Sequence, residues 1–244
     1  MLRGIYESTS ALLGLQQQES LWADNLANQG TPGYLQEASS FGTFMTGALK
    51  PVGGTSPGVL SLGAGISGDA VSSAPGSIQT TGRPLDLAFL PNVFLTVRTP
   101  GGAAYTRDGA LTVNAAGVLT TAAGLPVTGR GGALIHVSGE AAVSITAGGT
   151  VLDNGKAVGQ LALVTIPQGK VLPGASPATY VPVKGTAVAA GGAVIPGALT
   201  MSNVNAATGL TSIIQVEGSY QANEQAAHTI AQSFNTFLTT GVQP

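Results

Sequence analysis

Apolar positions recur at helical spacing at both ends of the chain and at spacings of two in between. At the C-terminal end, positions 213, 216, 220, 223, 227, 230, 234 and 237 hold Ile213, Val216, Tyr220, Asn223, Ala227, Ile230, Phe234 and Phe237. The alternating steps of three and four predict an amphipathic helix over about 205–240 with an a/d seam of coiled-coil type. Asn223 is the polar member, and a single seam asparagine fixes register at some cost in stability. Asn205 is placed to cap the start, and Gly241 with Pro244 to follow the end.

The N-terminal end predicts a second helix over about 4–28. Ile5, Ser8, Leu12, Leu15, Glu19, Trp22 and Leu26 fall on one stripe, while Tyr6 and Leu13 widen the apolar surface. A helix apolar on more than one side calls for more than one neighbour. Gly30 is positioned to close it. Thr31-Pro32-Gly33-Tyr34 reads as a type II turn, with Pro at its second and Gly at its third position. Gly209 and Gly218 each weaken the C-terminal helix by about 1 kcal/mol relative to Ala. Both ends are therefore expected to be marginal alone and to order when they pack on each other or on copies of themselves.

Between the ends the pattern predicts an all-β domain over 85–200. Strands are expected at 94–98 and 104–107, separated by Pro100-Gly101-Gly102, and at 111–114 and 118–121, separated by Ala115-Ala116-Gly117. Asp108-Gly109 reads as a hairpin signal and Asp153-Asn154-Gly155 as another tight turn. Further strands are expected at 134–137, 143–146 and 160–166. A β-solenoid fits the Gly and Thr content, but no repeat of fixed length supports it. Residues 35–84 read as an extended connector rich in Gly, Ser and Pro. The expected class is mixed α+β, an all-β centre flanked by terminal helices that pair as a coiled coil. Its parts are 1–34 (helix and turn), 35–84 (connector), 85–200 (β domain) and 201–244 (helix).

Composition narrows the function. The 244 residues can bury a real core. Only 8% are charged, against about 25% in ordinary soluble proteins. A net charge of −2 with no basic run excludes a nucleic-acid backbone footprint. The absence of cysteine removes disulfides, thiolate metal sites and cysteine nucleophiles. The apolar runs are too short to span a membrane. No cleavable signal is read at the N-terminus, where Gln16-Gln17-Gln18-Glu19 interrupts the apolar stretch.

Candidate chemistry is sparse. Gly63-Ala64-Gly65-Ile66-Ser67-Gly68 spells a dinucleotide-loop pattern, but such a loop must open a helix, and Ser72-Ser73-Ala74-Pro75-Gly76 follows. The two histidines, His136 and His228, lack metal-ligand spacing and read as structural or surface residues. Asp86, Asp108 and Asp153 lie in or beside turns and do not form an acid/base pair. No catalytic residue, cofactor or metal is assigned.

Five segments, in order, resemble one family. Ala23-Asp24-Asn25-Leu26-Ala27-Asn28-Gln29-Gly30-Thr31-Pro32-Gly33-Tyr34 is similar to the signature of bacterial flagellar rod and hook proteins. Arg83-Pro84-Leu85-Asp86-Leu87-Ala88 agrees, as do 104–111 with 117–121, and Val158-Gly159-Gln160-Leu161. The last is 197–205, ending Ser202-Asn203-Val204-Asn205 and running into the final helix with Tyr220-Gln221-Ala222-Asn223. The chain departs from the family pattern at Phe89-Leu90-Pro91-Asn92-Val93-Phe94, at Leu35 and at Glu217-Gly218-Ser219-Tyr220. The resemblance implies a structural subunit of the basal-body rod, proximal or distal. It would be exported unfolded by the flagellar type III apparatus and assemble helically into a drive shaft that transmits torque. Implied partners are copies of itself, other rod and hook subunits and the export apparatus, without nucleic acid, small-molecule substrate or membrane insertion. Subunit packing is expected at Ile5, Leu12, Leu15, Trp22, Leu26 and the C-terminal seam. Asn25, Leu26, Ala27, Asn28, Thr31, Pro32, Gly33 and Tyr34 form the signature turn. The competing reading is a secreted β-rich surface or adhesive protein with oligomerising helical ends.

Overall fold

A computed structural model describes residues 2–43, 46–48, 59–61, 64–139, 143–185, 187–189 and 194–240. Helix α1 spans Leu2–Ala27 and helix α2 spans Ala206–Thr240. The strands between them are β1 (Glu37–Thr43), β2 (Thr46–Ala48), β3 (Val59–Ser61), β4 (Ala64–Val71), β5 (Ile78–Thr80) and β6 (Leu87–Phe89). Then come β7 (Val93–Thr99), β8 (Gly102–Thr106), β9 (Leu111–Val113), β10 (Leu119–Thr121), β11 (Val143–Ile145), β12 (Thr150–Asp153) and β13 (Lys156–Gln160). The series closes with β14 (Leu163–Thr165), β15 (Val171–Pro173), β16 (Thr179–Pro182), β17 (Val188–Ala189), β18 (Val194–Pro196) and β19 (Ala198–Thr200).

The chain forms two compact units. One comprises 1–26, 38–69 and 206–244, and the other 27–37 and 70–205. The second is β-rich and is organised by an antiparallel sheet ordered β15-β16-β8-β7-β14-β17. Strand β7 lies inside this sheet and is covered on both faces. Leu95 and Val97 enter a core with Leu87, Leu111, Leu119, Val127, Ile135, Val151 and Leu163. Phe94 points the other way, into a smaller core with Leu35, Val71, Ile166, Val171 and Tyr180. That is why Val93, Phe94 and Leu95 are buried in succession instead of alternately.

Several expectations need correction. The Asp108-Gly109 step is not a hairpin: β8 pairs with β7 and β16, while β9 pairs with β10. Gly109 serves close approach instead, because a Cβ there would lie 1.8 Å from the Leu87 carbonyl oxygen. Residues 160–166 form two strands, since β13 pairs with β12 and β14 with β7, so the chain changes sheets between them. Residues 134–137 make isolated bridges, Thr128 with Leu134 and Val118 with His136. His136 is exposed between buried Ile135 and Val137. The 35–84 connector contains the strand pairs β1–β4 and β2–β3. Its Gly/Ser-rich strands lack the apolar alternation by which a strand is recognised in sequence. The dinucleotide-like pattern runs into β4, so it opens a strand and no helix. The Asp153-Asn154-Gly155 turn does join β12 to β13, with φ of 49° at Asn154 and 75° at Gly155. Gly241 and Pro244 lie outside the described residues.

Candidate assembly site

Helix α1 does not end through Gly30, which is not left-handed. It stops at Ala27, and Thr31 N donates to Asn28 O at 3.1 Å. The turn that follows has the expected form: Tyr34 N donates to Thr31 O at 3.3 Å, and Gly33 has φ of 71°.

Within the helical unit, α1 and α2 run side by side and antiparallel. Asn223 Nδ2 donates to Ser8 O at 3.0 Å. Farther along, Leu15, Gln18 and Trp22 face Ser212, Gln215, Val216 and Ser219 across a cleft of about 250 Å³. On α2, Val216 is buried, and Ile213, Tyr220, Asn223, Ala227, Ile230 and Phe234 are half-buried. Their neighbours Leu210 and Ile214 are 51% and 69% exposed, so the predicted stripe is the less exposed face of the helix. On α1, Leu12, Leu15, Trp22 and Leu26 are half-buried, and Ser8 and Asn25 are buried. The side chains of Ile5 and Phe237 lie outside the described residues. Gln18 and Ser212, not singled out from the pattern, line the cleft between the helices.

The signature turn docks inside the β-rich unit. Ala27 is exposed, Asn28, Thr31 and Pro32 are half-buried, and Gly33, Tyr34 and Leu35 are buried. Gly33 N donates to Thr200 O at 2.8 Å. Its bare Cα rests on the Arg107–Asp108 peptide, where an added Cβ would lie 2.1 Å from the Arg107 carbonyl carbon. Leu35 N donates to the Tyr180 hydroxyl at 2.6 Å, and that hydroxyl donates to Gly33 O at 3.3 Å. Burial pushes the Tyr180 pKa upward, which keeps the hydroxyl protonated. Tyr180 meets Phe94 edge to face, with ring centroids 5.8 Å apart.

The Arg107 guanidinium sits 5.7 Å above the Phe94 ring and donates through one Nη2 to Phe89 O and Leu90 O at 3.2 and 3.3 Å. Burial lowers its pKa from the ordinary value. Burial raises the neighbouring Asp108 carboxyl to about 6, against the hydrogen bond that Ala110 N gives its Oδ1 and with the Asp86 carboxylate adding to the rise. The turn thus rests on a cradle of Arg107, Phe94, Tyr180 and Thr200. Arg107 and Thr200 belong to segments singled out from sequence, whereas Tyr180 stands in no motif and only folding brings it there.

Among the described residues no cluster of His, Cys, Asp or Glu is arranged to hold a metal ion. No helix among them is long and apolar enough to cross a membrane.

In chain order a β-rich unit falls between two terminal helices, and the chain's most specific turn docks into that unit, a layout that suits a structural assembly protein. Comparison with known proteins identifies the family. The model of the flagellar hook protein FlgE/F/G D1 domain matches residues 92–172, and that of the flagellar basal body rod FlgEFG protein C-terminal region matches 195–239. The chain is 30% identical to the flagellar basal-body rod protein FlgF of Rhizobium meliloti over 226 residues, covering 88% of each chain. It is 32% identical to the flagellar hook-basal body complex protein FlhP of Bacillus subtilis, over 92% of this chain and 94% of that one. It is 28% identical to the flagellar basal-body rod protein FlgG of the same organism, over 94% and 95%. The chain belongs to the flagellar basal-body rod protein family. These relatives favour a structural rod subunit over a surface adhesin.

Proposed function

We propose that this rod subunit polymerises helically through its terminal helices, which pair as a coiled coil and pack against those of neighbouring subunits to form a torque-transmitting shaft. The observation that carries this reading is the incomplete burial of the α2 stripe. Ile213, Tyr220, Ala227, Ile230 and Phe234 follow the seam spacing, yet in one chain they remain half-exposed. Burying a side chain of this kind fully contributes about 1.5–3 kcal/mol, so the stripe retains stabilisation that only further helices can supply. Neighbours would be copies of this chain and other rod and hook subunits. The place of action is the flagellar basal body, reached through the flagellar export apparatus. The terminal helices order fully on assembly. The chain is a packing element and not an enzyme, and it uses no cofactor.

Deleting 205–244 tests this. The shortened chain should keep a cooperative thermal transition in its β-rich unit and lose polymerisation and motility in a strain lacking its own copy. Polymerisation of the shortened chain would overturn the reading. Hydrogen exchange on dilute chain provides a second check: strong protection along both helices would show that they need no assembly to order.

A further inference from the structure

The chain passes between its two units at 26/27, 37/38, 69/70 and 205/206. Three of these crossings lie beside residues held by one side chain. Asn203 Oδ1 accepts from Gln36 N at 2.6 Å, and Asn203 Nδ2 donates to Ser72 O at 3.3 Å and Ala74 O at 2.8 Å. Its own amide donates to Tyr34 O at 3.4 Å, and Ser72 N donates to Gln36 O at 2.8 Å. Gln36 precedes the crossing at 37/38, Ser72 follows the one at 69/70, and Asn203 precedes the one at 205/206.

The carboxamide uses its acceptor and both donors. Turned over, it would set an NH2 group against the Gln36 N–H and an oxygen against two carbonyls, so its orientation is fixed. Backbone packing tightens the same place. Met201 N donates to Ser77 O at 2.8 Å, and a Cβ on Gly76 would lie 1.8 Å from Met201 O. Asp at 203 would keep the acceptor, lose both donors and face two carbonyls with a charge.

We propose that Asn203 is a positioning residue for force transfer. It fastens the segments flanking three crossings into one junction. A pull arriving along α2, β1 or β4 then enters the β-rich unit through hydrogen bonds set side by side. Bonds loaded side by side share the force, whereas bonds loaded in sequence open singly. The inference rests on the rod-subunit reading for the origin of that pull.

The test uses Asn203→Ala and Asn203→Asp in the full chain, with amide exchange at Gln36 and Ser72 and swimming in dilute and viscous media. In Asn203→Ala, exchange at both amides should rise about tenfold or more, the consequence of losing one or two net hydrogen bonds. In Asn203→Asp, which keeps the Gln36 acceptor, the Gln36 amide should stay protected relative to Ala. The Ser72 amide donates to Gln36 O and not to Asn203, and should exchange faster only because the carboxylate repels the Ser72 and Ala74 carbonyls and releases the 72–74 segment. Swimming should fall more in viscous medium than in dilute medium for both. A general packing role would lower both equally. Unchanged exchange in both variants overturns the junction, and an equal loss of swimming in the two media overturns the force-transfer role. If Asn203→Ala does not fold, Asn203→Asp alone decides on the same two measurements. Failure of the unaltered chain to restore swimming would overturn the rod reading and force transfer with it, while the exchange result would still decide the junction.

Discussion

Replacing Tyr180 by Phe removes one oxygen from a residue 1% exposed and leaves its ring packing against Phe94 in place. The hydroxyl accepts from Leu35 N at 2.6 Å and donates to Gly33 O at 3.3 Å. Leu35 is 2% exposed, so no water takes over its amide while the turn stays docked. Leaving a buried donor without a partner costs about 1–3 kcal/mol, and the longer bond to Gly33 adds little. We expect a loss of about 2 kcal/mol, which corresponds to about 4–8 °C in Tm for a unit of this size. The assay is urea unfolding of the full chain, followed by pulse-labelled hydrogen exchange in β7 and β16. The midpoint should fall with the urea slope unchanged, because the buried area hardly changes. If the turn undocks alone, the same energy appears locally, as exchange at Leu35 about thirtyfold faster than in the unaltered chain. A shift below about 0.5 kcal/mol with Leu35 still protected would refute the claim that this hydroxyl holds the turn, since ordinary surface changes fall in that range.

Other expectations follow from the same geometry. Gly109→Ala places a methyl group into the Leu87 carbonyl and should cost about 3 kcal/mol or more, read as a lowered urea midpoint. Asp108, with its folded pKa raised to about 6 from an ordinary 3.8, binds its proton more tightly folded than unfolded. Its protonated form therefore gives its full stabilisation below about pH 4, and this is lost as pH rises through about 6, by up to about 3 kcal/mol. Asp108→Asn should flatten that part of the stability profile, and an unchanged slope between pH 4 and 6 would count against it. Asp153 has the opposite sign: Ser138 N and Oγ donate to it at 2.8 and 2.6 Å and lower its pKa, so its contribution disappears as pH falls. Phe234→Asp puts a charge on the half-buried stripe of α2 and should abolish assembly while leaving the melting of the β-rich unit unchanged.

Periodicity alone placed α1 and α2 to within two residues, because steps of three and four between apolar positions are a local signal that can be read without knowing what the helices pack against. Turn residues likewise marked the 31–34 turn, the 100–102 turn and the tight turn at 153–155, where backbone angles are set by local sterics. Pairing was a different matter. Asp108-Gly109 carries a hairpin signal, yet β8 and β9 join different neighbours, and the glycine answers to the Leu87 carbonyl. Which strands pair is decided by the covering of both faces of β7, a long-range packing condition that no local window contains. The same holds for the cradle. Motifs pointed to Gly33, Arg107 and Asn203, but Tyr180 is 145 residues from Leu35 and had no local mark. The sequence by itself determined the two terminal helices, the β character of the middle and the family. Only the tertiary structure decided how the signature turn is held and how Asn203 ties the crossings, because those hydrogen bonds join residues that the backbone brings together after the core has formed.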